Sequence, residues 1–326
     1  MHQPSNSSAA LDGDPTIEFA CSVADGLASQ PKQLPTKYLY DALGSQLFEA
    51  ICELPWYKIT RGEHALLAEH ANTIMSGAGP YSRIVELGSG SGAKLSVLLS
   101  AVKTCKTDVH LVDISGAALA QSVQALSRHS SVTLIPHCTS YEAGLNDALN
   151  HAQDDGRALI LFLGSNIGNL SLSEAELFLH QLRVKCRRGD QLLLGADLIK
   201  PAPELVLAYD DPLGVTSAFN KNLLARLNRE LDADFDLNLF SHRALWNAQD
   251  SRIEVYLESQ ADQLVCIRGA GCCVQFTQNE LIWTESAHKY ETHGIIAMGQ
   301  RAGFTSRTQW IEPESKFALT LFEAEP

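Results

Sequence analysis

The chain has 326 residues, which is enough for one large domain or two smaller ones. With 45% hydrophobic and 19% charged residues, its composition is typical of a soluble globular protein. The net charge of −13 argues against a nucleic-acid partner, because phosphate binding needs clustered lysines and arginines. No apolar run approaches the roughly 18 residues of a membrane span, and no leader pattern opens the chain, so we expect no membrane partner.

The eight cysteines are scattered and include no Cys-x-x-Cys pair, which argues against zinc and thioredoxin-like sites. We therefore expect no bound metal. The adjacent Cys272 and Cys273 are expected to line a strand rather than to form a bridge. This cysteine pattern favours a reducing, cytoplasmic location, and we expect a monomer.

The first part of the chain predicts an arm followed by helices. Residues 1–14 are polar and predict a disordered arm. Apolar residues at helical spacing follow in three segments, with an extended, proline-containing connection after the first. The predicted helices are Ile17–Leu27, Tyr40–Leu54, which Pro55 ends, and Arg61–Met75.

The middle of the chain alternates short apolar runs with helical patterns. This alternation predicts a doubly wound parallel sheet of the Rossmann type. The run from Ala158 to Leu163 is apolar throughout, as expected of a central strand that is covered on both faces. The predicted strands are Ile84–Leu87, Val109–Val112, Val132–Ile135, Ala158–Leu163 and Gln191–Gly195. The predicted helices are 93–103, 115–128, 140–151 and 172–187.

After Lys200 the pattern changes to a segment from Ala202 to Tyr209, a long helix and then short alternating runs, which predict antiparallel strands. The predicted helix is Gly214–Leu231. The predicted strands are Arg243–Trp246, Ile253–Ser259, Gln263–Ile267 and Cys273–Phe276. A helix over Ile295–Gly303 and a terminal antiparallel pair, Thr305–Ile311 and Phe317–Glu323, complete the chain.

A glycine-rich turn follows the first strand of the predicted sheet, in the sequence Glu86-Leu87-Gly88-Ser89-Gly90-Ser91-Gly92-Ala93. Glycine lets the backbone approach a ligand without a Cβ in the way, and cofactors bind at this edge of α/β sheets. Asp113 ends the next strand, at the spacing expected of an acid that binds a ribose.

Three interpretations of this turn are open. It fits a dinucleotide fingerprint, Gly88-x-Gly90-x-x-Ala93, and it also fits the S-adenosylmethionine loop Glu86-x-Gly88-x-Gly90-x-Gly92. A glycine turn without a ligand is the third alternative. We favour S-adenosylmethionine, because a carboxylate at Glu86 would repel a pyrophosphate but not a ribose or a zwitterionic methionine tail.

Further motifs occur in a fixed order from about Lys32 to the end of the chain. They are Tyr40-Asp41-Ala42-x-Gly44-Ser45-x-Leu47-Phe48-Glu49, Leu54-Pro55-x-Tyr57-x-x-Thr60-Arg61, Phe162-Leu163-Gly164-Ser165-x-Ile167-Gly168-Asn169, Tyr209-Asp210-Asp211, Phe219-Asn220-x-Asn222, Asn228-Arg229-Glu230-Leu231 and Thr284-Glu285-x-x-x-Lys289-Tyr290. Each alone is weak. Together with the glycine turn they give the chain a specific resemblance to the bacterial and fungal histidine-specific Nα-methyltransferases, which trimethylate histidine to hercynine for ergothioneine biosynthesis.

The resemblance implies S-adenosyl-L-methionine as cofactor, with Lys94 near its carboxylate, Asp113 on its ribose and Tyr57 near its methionyl end. The family usually has an Asp-Phe pair near the adenine, where this chain has Ser140-Tyr141. Tyr141 can still stack, but the carboxylate is lost. The residues implied to bind the cofactor are Tyr57, Gly88, Gly90, Lys94, Asp113, Ser140 and Tyr141.

The resemblance also implies a site for a small amino acid. Tyr40 and Tyr57 are implied to lie near the amine as the catalytic pair, because neutral hydroxyls can direct its lone pair at the methyl group. Glu285 is suited to accept an N–H from an imidazole. The residues implied to bind the substrate are Phe48 as a wall, Asn169 and Tyr209 at the α-carboxylate, and Val255, Glu285 and Ala287 at the side chain.

Four of these residues have ordinary structural alternatives. Tyr40 and Tyr57 could be interface residues, and Asn169 could cap the helix that follows it. Glu285 could be a solvated acid at a strand end. His288 and His293 are interpreted as surface or structural residues rather than ligands.

The chain departs from the family around the substrate side chain. Histidine enzymes commonly have Glu-x-Ser, whereas this chain has Glu285-Ser286-Ala287, so the hydroxyl comes one residue early and would face away on a strand. Where a methionine often lines the ring pocket, this chain has Val255, which leaves more room. These differences raise tryptophan, a tryptophan derivative or tyrosine as alternatives to histidine.

We therefore predict Nα-methylation of a free amino acid, with L-histidine and its conversion to hercynine as the first choice. The predicted substrate-binding domain comprises residues 15–61 and 200–289, and the predicted S-adenosylmethionine-binding domain comprises residues 62–199 and 290–326. An NAD-binding oxidoreductase is the alternative from another class, and Glu86 and the lack of an obvious hydride-transfer set argue against it. An inactive amino-acid-binding relative is a third alternative, disfavoured by Tyr40, Asn169 and Glu285.

Overall fold

The computed structural model describes residues 15–76, 80–101, 106–150 and 156–325. The predicted arm at residues 1–14 and Cys105 lie outside these ranges, as do the predicted ends of two helices, residues 102–103 and 151. Across the described ranges, no helix is both long and apolar enough to cross a membrane. No cluster of histidine, cysteine, aspartate and glutamate in these ranges could hold a metal ion.

The helices and strands alternate over the middle of the chain, as predicted. The helices are α1 (Pro15–Ala28), α2 (Ala42–Glu53), α3 (Ile59–Ser76), α4 (Ala93–Ser100), α5 (Gly116–Leu126), α6 (Tyr141–Asn150), α7 (Leu172–Lys185), α8 (Ala202–Tyr209), α9 (Val215–Glu230) and α10 (Thr292–Arg301). The strands are β1 (Lys32–Gln33), β2 (Tyr81–Leu87), β3 (Thr107–Asp113), β4 (Val132–Cys138), β5 (Arg157–Phe162), β6 (Gln191–Asp197), β7 (Phe240–Asn247), β8 (Arg252–Ser259), β9 (Gln263–Ile267), β10 (Cys272–Phe276), β11 (Leu281–His288), β12 (Phe304–Glu312) and β13 (Phe317–Ala324).

The larger sheet of the described chain has the order β12-β13-β6-β5-β2-β3-β4. The strands from β6 to β4 run parallel, and β13 is antiparallel to both β6 and β12. The order reverses at β2, which pairs with β3 on one side and with β5 on the other. Open α/β sheets bind ligands at such a reversal, outside the carboxyl ends of the strands. The doubly wound α/β fold is therefore confirmed.

The central strands follow from their sequences. Every residue of β6 is buried, and β5 is buried after its first residue. Strands covered on both faces need apolar runs rather than alternation, which is the pattern of Ala158–Leu163. By contrast, β8 alternates between buried and half-buried residues, because one of its faces is more open.

A smaller sheet has the order β1-β11-β8-β7, with a β9–β10 hairpin beside it. The antiparallel strands predicted after Lys200 are confirmed. The short β1, which pairs in parallel with β11, was not predicted. This pairing fastens the N-terminal segment to the smaller sheet, so residues from distant parts of the chain meet there.

The apolar core continues across the predicted domain boundary. Leu66 and Leu67 of α3 belong to the same buried cluster as Leu223 and Leu227 of α9. Such continuity fits an insertion that packs closely onto its host sheet. The division into two domains stays a prediction.

The β9–β10 hairpin corrects one prediction. Cys272 and Cys273 do lie on a strand, but Cys273 also forms a disulfide with Cys266. The two residues are directly opposite in the antiparallel register, with Cα atoms 4.0 Å apart. The sequence shows both strands but not their register, so this bridge was missed.

Candidate active site

The glycine turn forms an open cradle after β2. Gly88, Gly90 and Gly92 have φ angles of 79°, 50° and 73°, a region that favours glycine. A Cβ on Gly88 would lie 2.6 Å from Nδ2 of Asn166 and 3.0 Å from Oη of Tyr141. A Cβ on Gly90 would meet nothing within 4 Å. The turn is therefore closed on one side by polar side chains and open on the other, which fits a cofactor lying along it.

Asp113 is bound to this cradle. Its Oδ2 accepts the Gly90 N–H at 3.2 Å, and its Oδ1 accepts the Ser115 N–H at 2.9 Å. Burial raises the pKa of Asp113, although these backbone donors oppose the effect. The structure thus places the acid at the carboxyl end of β3 beside the turn, where we predicted a ribose contact.

Tyr141 and Ser140 follow β4 at the same edge. The Tyr141 ring packs edge-on against Phe162, with centroids 5.4 Å apart, and its hydroxyl faces Gly88. The Ser140 hydroxyl accepts the Ala143 N–H at 3.4 Å, so it begins helix α6. Tyr141 is well placed to stack, whereas the Ser140 hydroxyl is used within its own helix.

Lys94 lies on the first turn of α4, where it pairs with Glu63 of α3. Its Nζ is 2.7 Å from Oε2 of Glu63, whose side chain is fully buried. Burial alone would lower the pKa of Lys94, but Glu63 outweighs it, and the pKa is raised. Both oxygens of Glu63 also accept the Gly164 N–H, at 2.7 and 2.9 Å. Glu63 therefore joins α3, the cofactor cradle and the turn after β5, and it was not predicted.

Glu86 is buried just before the cradle. Burial raises its pKa to about 8, with Lys94 opposing the effect. Among the described residues, its Oε2 has no hydrogen-bond partner. Glu86 is therefore mostly protonated at neutral pH in the free protein, and the repulsion of a pyrophosphate that we inferred from its charge is weaker than expected.

A pocket lies next to the cradle, between the two sheets. Its empty space is about 520 Å³, including the part open to solvent. It collects side chains from α2, α8, α9, β11 and the turn after β5. The lining residues are Tyr40, Phe48, Ile51, Tyr57, Gly164, Ser165, Asn166, Asn169, Ala208, Tyr209, Thr216, Phe219, Glu285 and Ala287.

Aromatic rings form one wall of this pocket. The Tyr40 ring packs edge-on against Phe48 and Phe219, with centroids 5.6 and 5.4 Å apart. Tyr57 continues the wall, 6.2 Å from Phe48 and 6.1 Å from Tyr209. Burial raises the pKa of both Tyr40 and Tyr57 well above the usual value, so both hydroxyls stay neutral. Phe219 belongs to a motif that the sequence showed, but no role was predicted for it.

The turn after β5 forms a second wall. Gly164 and Ser165 have φ angles of 74° and 59°, and such strain in a non-glycine residue is typical of functional sites. The Ser165 hydroxyl accepts the Asp197 N–H at 3.0 Å and holds the turn in place. Asn169 ends the turn and is exposed to the pocket.

Asn169 does not cap the following helix. Helix α7 is capped by Ser171, whose hydroxyl accepts the Glu174 N–H while Glu174 accepts the Ser171 N–H. The capping alternative for Asn169 is therefore excluded, and its amide is available to a ligand.

Strand β11 supplies the third wall. The pairing with β8 shifts between Trp283 and Glu285, which indicates a β-bulge at Thr284. Bulges change the direction of side chains near active sites. After the bulge, Glu285 and Ala287 line the pocket, whereas Ser286 accepts the Trp283 indole N–H at 3.1 Å. The predicted direction of the Ser286 hydroxyl is confirmed.

Val255 lies directly opposite Glu285 on β8. It is buried in the apolar core and is not among the residues that line the pocket. Val255 therefore has little exposed surface in the free protein, and its place at the ring of a bound substrate stays a prediction.

Glu285 is the acid of this pocket. Burial raises its pKa to about 7, and Lys289 opposes the effect. The carboxyl group is therefore balanced between its two protonation states near neutral pH. A solvated acid would not show this shift, so the ordinary surface alternative for Glu285 is excluded.

The residues after Glu285 hold β11 against the turn. The His288 ring bonds through Nδ1 to the Gly168 carbonyl at 3.0 Å, and the Tyr290 hydroxyl donates to the Ile167 carbonyl at 3.0 Å. Burial lowers the pKa of His288, so the ring is neutral and donates. The interpretation of His288 as a structural residue is confirmed.

The sheet order, the glycine cradle and the enclosed aromatic pocket beside it define a Rossmann-like methyltransferase. The chain matches, over residues 19–324, the family described as "Histidine-specific methyltransferase, SAM-dependent". It is 38% identical to a histidine N-alpha-methyltransferase of Mycolicibacterium smegmatis, over 92% of each chain. The chain therefore belongs to the S-adenosylmethionine-dependent, histidine-specific methyltransferase family, and S-adenosylmethionine is its cofactor.

Two further relatives extend this comparison. Ergothioneine biosynthesis protein 1 of Schizosaccharomyces pombe is 30% identical over 88% of this chain and 39% of its own length. L-tryptophan methyltransferase trpM of Psilocybe serbica is 24% identical over 95% of this chain and 94% of its own length. The family resemblance noted in the sequence is confirmed, and the interpretation as an NAD-dependent oxidoreductase is wrong.

Proposed function

We propose that the protein transfers methyl groups from S-adenosylmethionine to the α-amine of free L-histidine, and that the end product is hercynine. The observation that carries this proposal is a half-buried acid, Glu285, facing a pocket whose opposite wall is aromatic. The acid offers a partner to a ring N–H. The relative from Mycolicibacterium smegmatis, whose name states histidine Nα-methylation, supports the same substrate.

In this proposal Gly88 and Gly90 would hold the cofactor. Asp113 would bind its ribose, Tyr141 would stack with the adenine, and Lys94 and Tyr57 would hold its methionine part. When bound, the cofactor supplies a methyl group that is activated by a positively charged sulfur. The contribution of the protein is to place the amine in line with that methyl group.

The substrate is held by its two ends. Tyr209 and Asn169 bind the α-carboxylate, and Glu285 binds the imidazole with Ala287 beside it. Tyr40 and Tyr57 hold the α-amine through neutral hydroxyls, with Phe48 behind it. When bound, the cofactor would give its methyl carbon to the amine nitrogen and leave as S-adenosylhomocysteine. The proton that the amine loses before each further transfer would pass to solvent in the open part of the pocket.

Repeated methylation places a growing cation in the pocket. Aromatic faces attract such a cation, and Tyr40, Phe48, Tyr57 and Phe219 supply them without adding a negative charge. This arrangement supports more than one methyl transfer. It also gives Phe219, for which the sequence predicted no role, a place at the substrate ammonium.

Isothermal titration of histidine in the presence of S-adenosylhomocysteine tests the substrate. We expect binding below millimolar histidine, and no binding at millimolar histidine would overturn histidine as the substrate. The variant Glu285→Ala should lose most histidine turnover and lose less activity on an indole substrate. Equal losses on both would contradict the role of Glu285 at the ring.

The second candidate substrate is another aromatic amino acid, such as tryptophan. It is favoured by the pocket beside Glu285, where Ala287 supplies no hydroxyl and Ser286 faces away. The monomeric state, the cytoplasmic location and the two-domain division stay predictions. Gel filtration with light scattering tests the first of these.

A further inference from the structure

Tyr209 does not stand alone at the end of the pocket. Its hydroxyl lies 2.8 Å from Nζ of Lys289, and both groups are buried. Lys289 is the residue between His288 and Tyr290, and the Lys289 side chain is not among those that line the pocket. Lys289 can therefore affect a ligand in this pocket through its hydrogen bond to Tyr209.

The direction of this hydrogen bond is fixed by chemistry. An ammonium group has three donors and no acceptor, so Lys289 donates and the Tyr209 oxygen accepts. The single hydroxyl proton of Tyr209 then points away from Lys289. Since the Tyr209 side chain lines the pocket, this proton is available there to an acceptor such as a carboxylate.

The charge on Lys289 is kept by a buried carboxylate. Nζ of Lys289 is 3.0 Å from Oδ2 of Asp197, and each side chain is 1% exposed. Burial alone would lower the pKa of Lys289, but Asp197 and Tyr209 outweigh it, and the pKa is raised. The other oxygen of Asp197 binds Nζ of Lys200 at 2.6 Å. Asp197 is thus shared by two lysines, of which only Lys289 contacts Tyr209 in the described structure.

We propose that Lys289 is a positioning residue for substrate carboxylate recognition, which turns the Tyr209 hydroxyl proton into the pocket. This inference rests on the proposed function, because it assigns the carboxylate end of the amino acid to Tyr209. The Tyr209 hydroxyl lies between the charged Lys289 and the pocket, which also receives the positively charged methyl donor. It selects for a carboxylate without placing an ammonium group beside the sulfonium.

The test compares Lys289→Met with Lys200→Met, which removes the other lysine on Asp197 without touching Tyr209. Binding of histidine and of histamine, which lacks the carboxylate, is measured by titration with S-adenosylhomocysteine present. We expect Lys289→Met to weaken histidine binding about 10- to 100-fold, the range of a lost charge-assisted hydrogen bond. Histamine binding should change less than about threefold, as should histidine binding to Lys200→Met.

Equal losses of histidine and histamine by Lys289→Met would overturn the inference, because a merely structural lysine affects both ligands. Tyr209→Phe supplies a second readout that does not depend on histamine binding. Adding Lys289→Met to Tyr209→Phe should cost less than about threefold in histidine affinity, since the hydroxyl is already absent. If the double variant lost histidine affinity by the product of the two single losses, the positioning role of Lys289 would also be overturned.

Should Lys289→Met not fold, Asp197→Asn combined with Lys289→Met and Lys200→Met removes all three charges, so that none of them is left buried without a partner. The losses of histidine and histamine binding are then compared in that variant in the same way. Failure of the wild-type protein to bind histidine overturns the proposed substrate instead. The comparison is then made with the amino acid that is methylated and its own decarboxylated amine.

Discussion

Replacing Glu285 by glutamine should change the pH dependence of stability in the free protein. Burial raises the pKa of Glu285 from its usual 4.5 to about 7. Between these two values the folded state holds the proton more tightly than the unfolded state. The free energy of unfolding therefore falls as the pH rises through this window, and it stays low above it.

The size of this effect follows from the same two values. At about 1.4 kcal/mol for each pH unit, the difference sets an upper limit of about 3.4 kcal/mol. Solvent in the open part of the pocket reduces this to about 2 kcal/mol. Glutamine is close in shape to the protonated acid and cannot ionise, so Glu285→Gln should be about 2 kcal/mol more stable than wild type at pH 8. At pH 5 the two proteins should be nearly equal.

Urea unfolding of both proteins at pH 5 and pH 8, without ligands, measures this difference. A matched control is Glu254→Gln on the neighbouring strand β8. Burial acts to raise the pKa of Glu254, but Asn247, Tyr256 and Arg252 outweigh it, and the pKa is lowered. Glu254→Gln should therefore destabilise the protein at pH 8. A Glu285→Gln difference that is the same at both pH values would refute the reasoning.

Three further changes test other parts of the site. Glu63→Gln should destabilise the protein by about 3 kcal/mol in urea unfolding, because it leaves the Lys94 charge without its buried partner; a loss below about 1 kcal/mol would contradict this. Ala287→Ser should tighten histidine binding about fivefold in titrations by adding a hydroxyl beside Glu285, and weaker binding would count against an imidazole there. Phe219→Leu should weaken binding of trimethylated histidine about three- to tenfold and affect unmethylated histidine less, since only the former needs the ring face for its fixed cation. Equal effects on both ligands would remove Phe219 from the ammonium site.

The sequence was sufficient for the parts of the fold that depend on local pattern. The apolar run in β5 and the alternation in β8 report how each strand is covered, so both were placed within a residue or two. The glycines at positions 88 and 90 predicted a turn whose backbone can approach a ligand, and in the structure both residues have left-handed backbone. These features need no knowledge of which segments meet.

The parts that were missed depend on long-range pairing. Glu63 is an ordinary helical acid in the sequence, and its role comes from Gly164, about a hundred residues away. Phe219 reaches the pocket only because α9 packs beside Tyr40.

The register between paired strands was the second feature that the sequence did not show. The Cys266–Cys273 bridge follows from direct pairing across the hairpin, and the bulge at Thr284 decides which residues of β11 face the pocket. Val255 was placed at the ring by the family resemblance, and its position opposite Glu285 became visible only from the register of β8 and β11. Alternation on β11 did predict that Ser286 faces away, because the bulge lies before Glu285.

The central claim is that free L-histidine receives the methyl groups at its α-amine. Incubating the protein with S-adenosylmethionine and each of the twenty amino acids, followed by mass spectrometry, tests this most directly. The account predicts that histidine gains up to three methyl groups on its α-nitrogen and exceeds every other amino acid. Methylation of another amino acid in preference to histidine, or of none of the twenty, would contradict it.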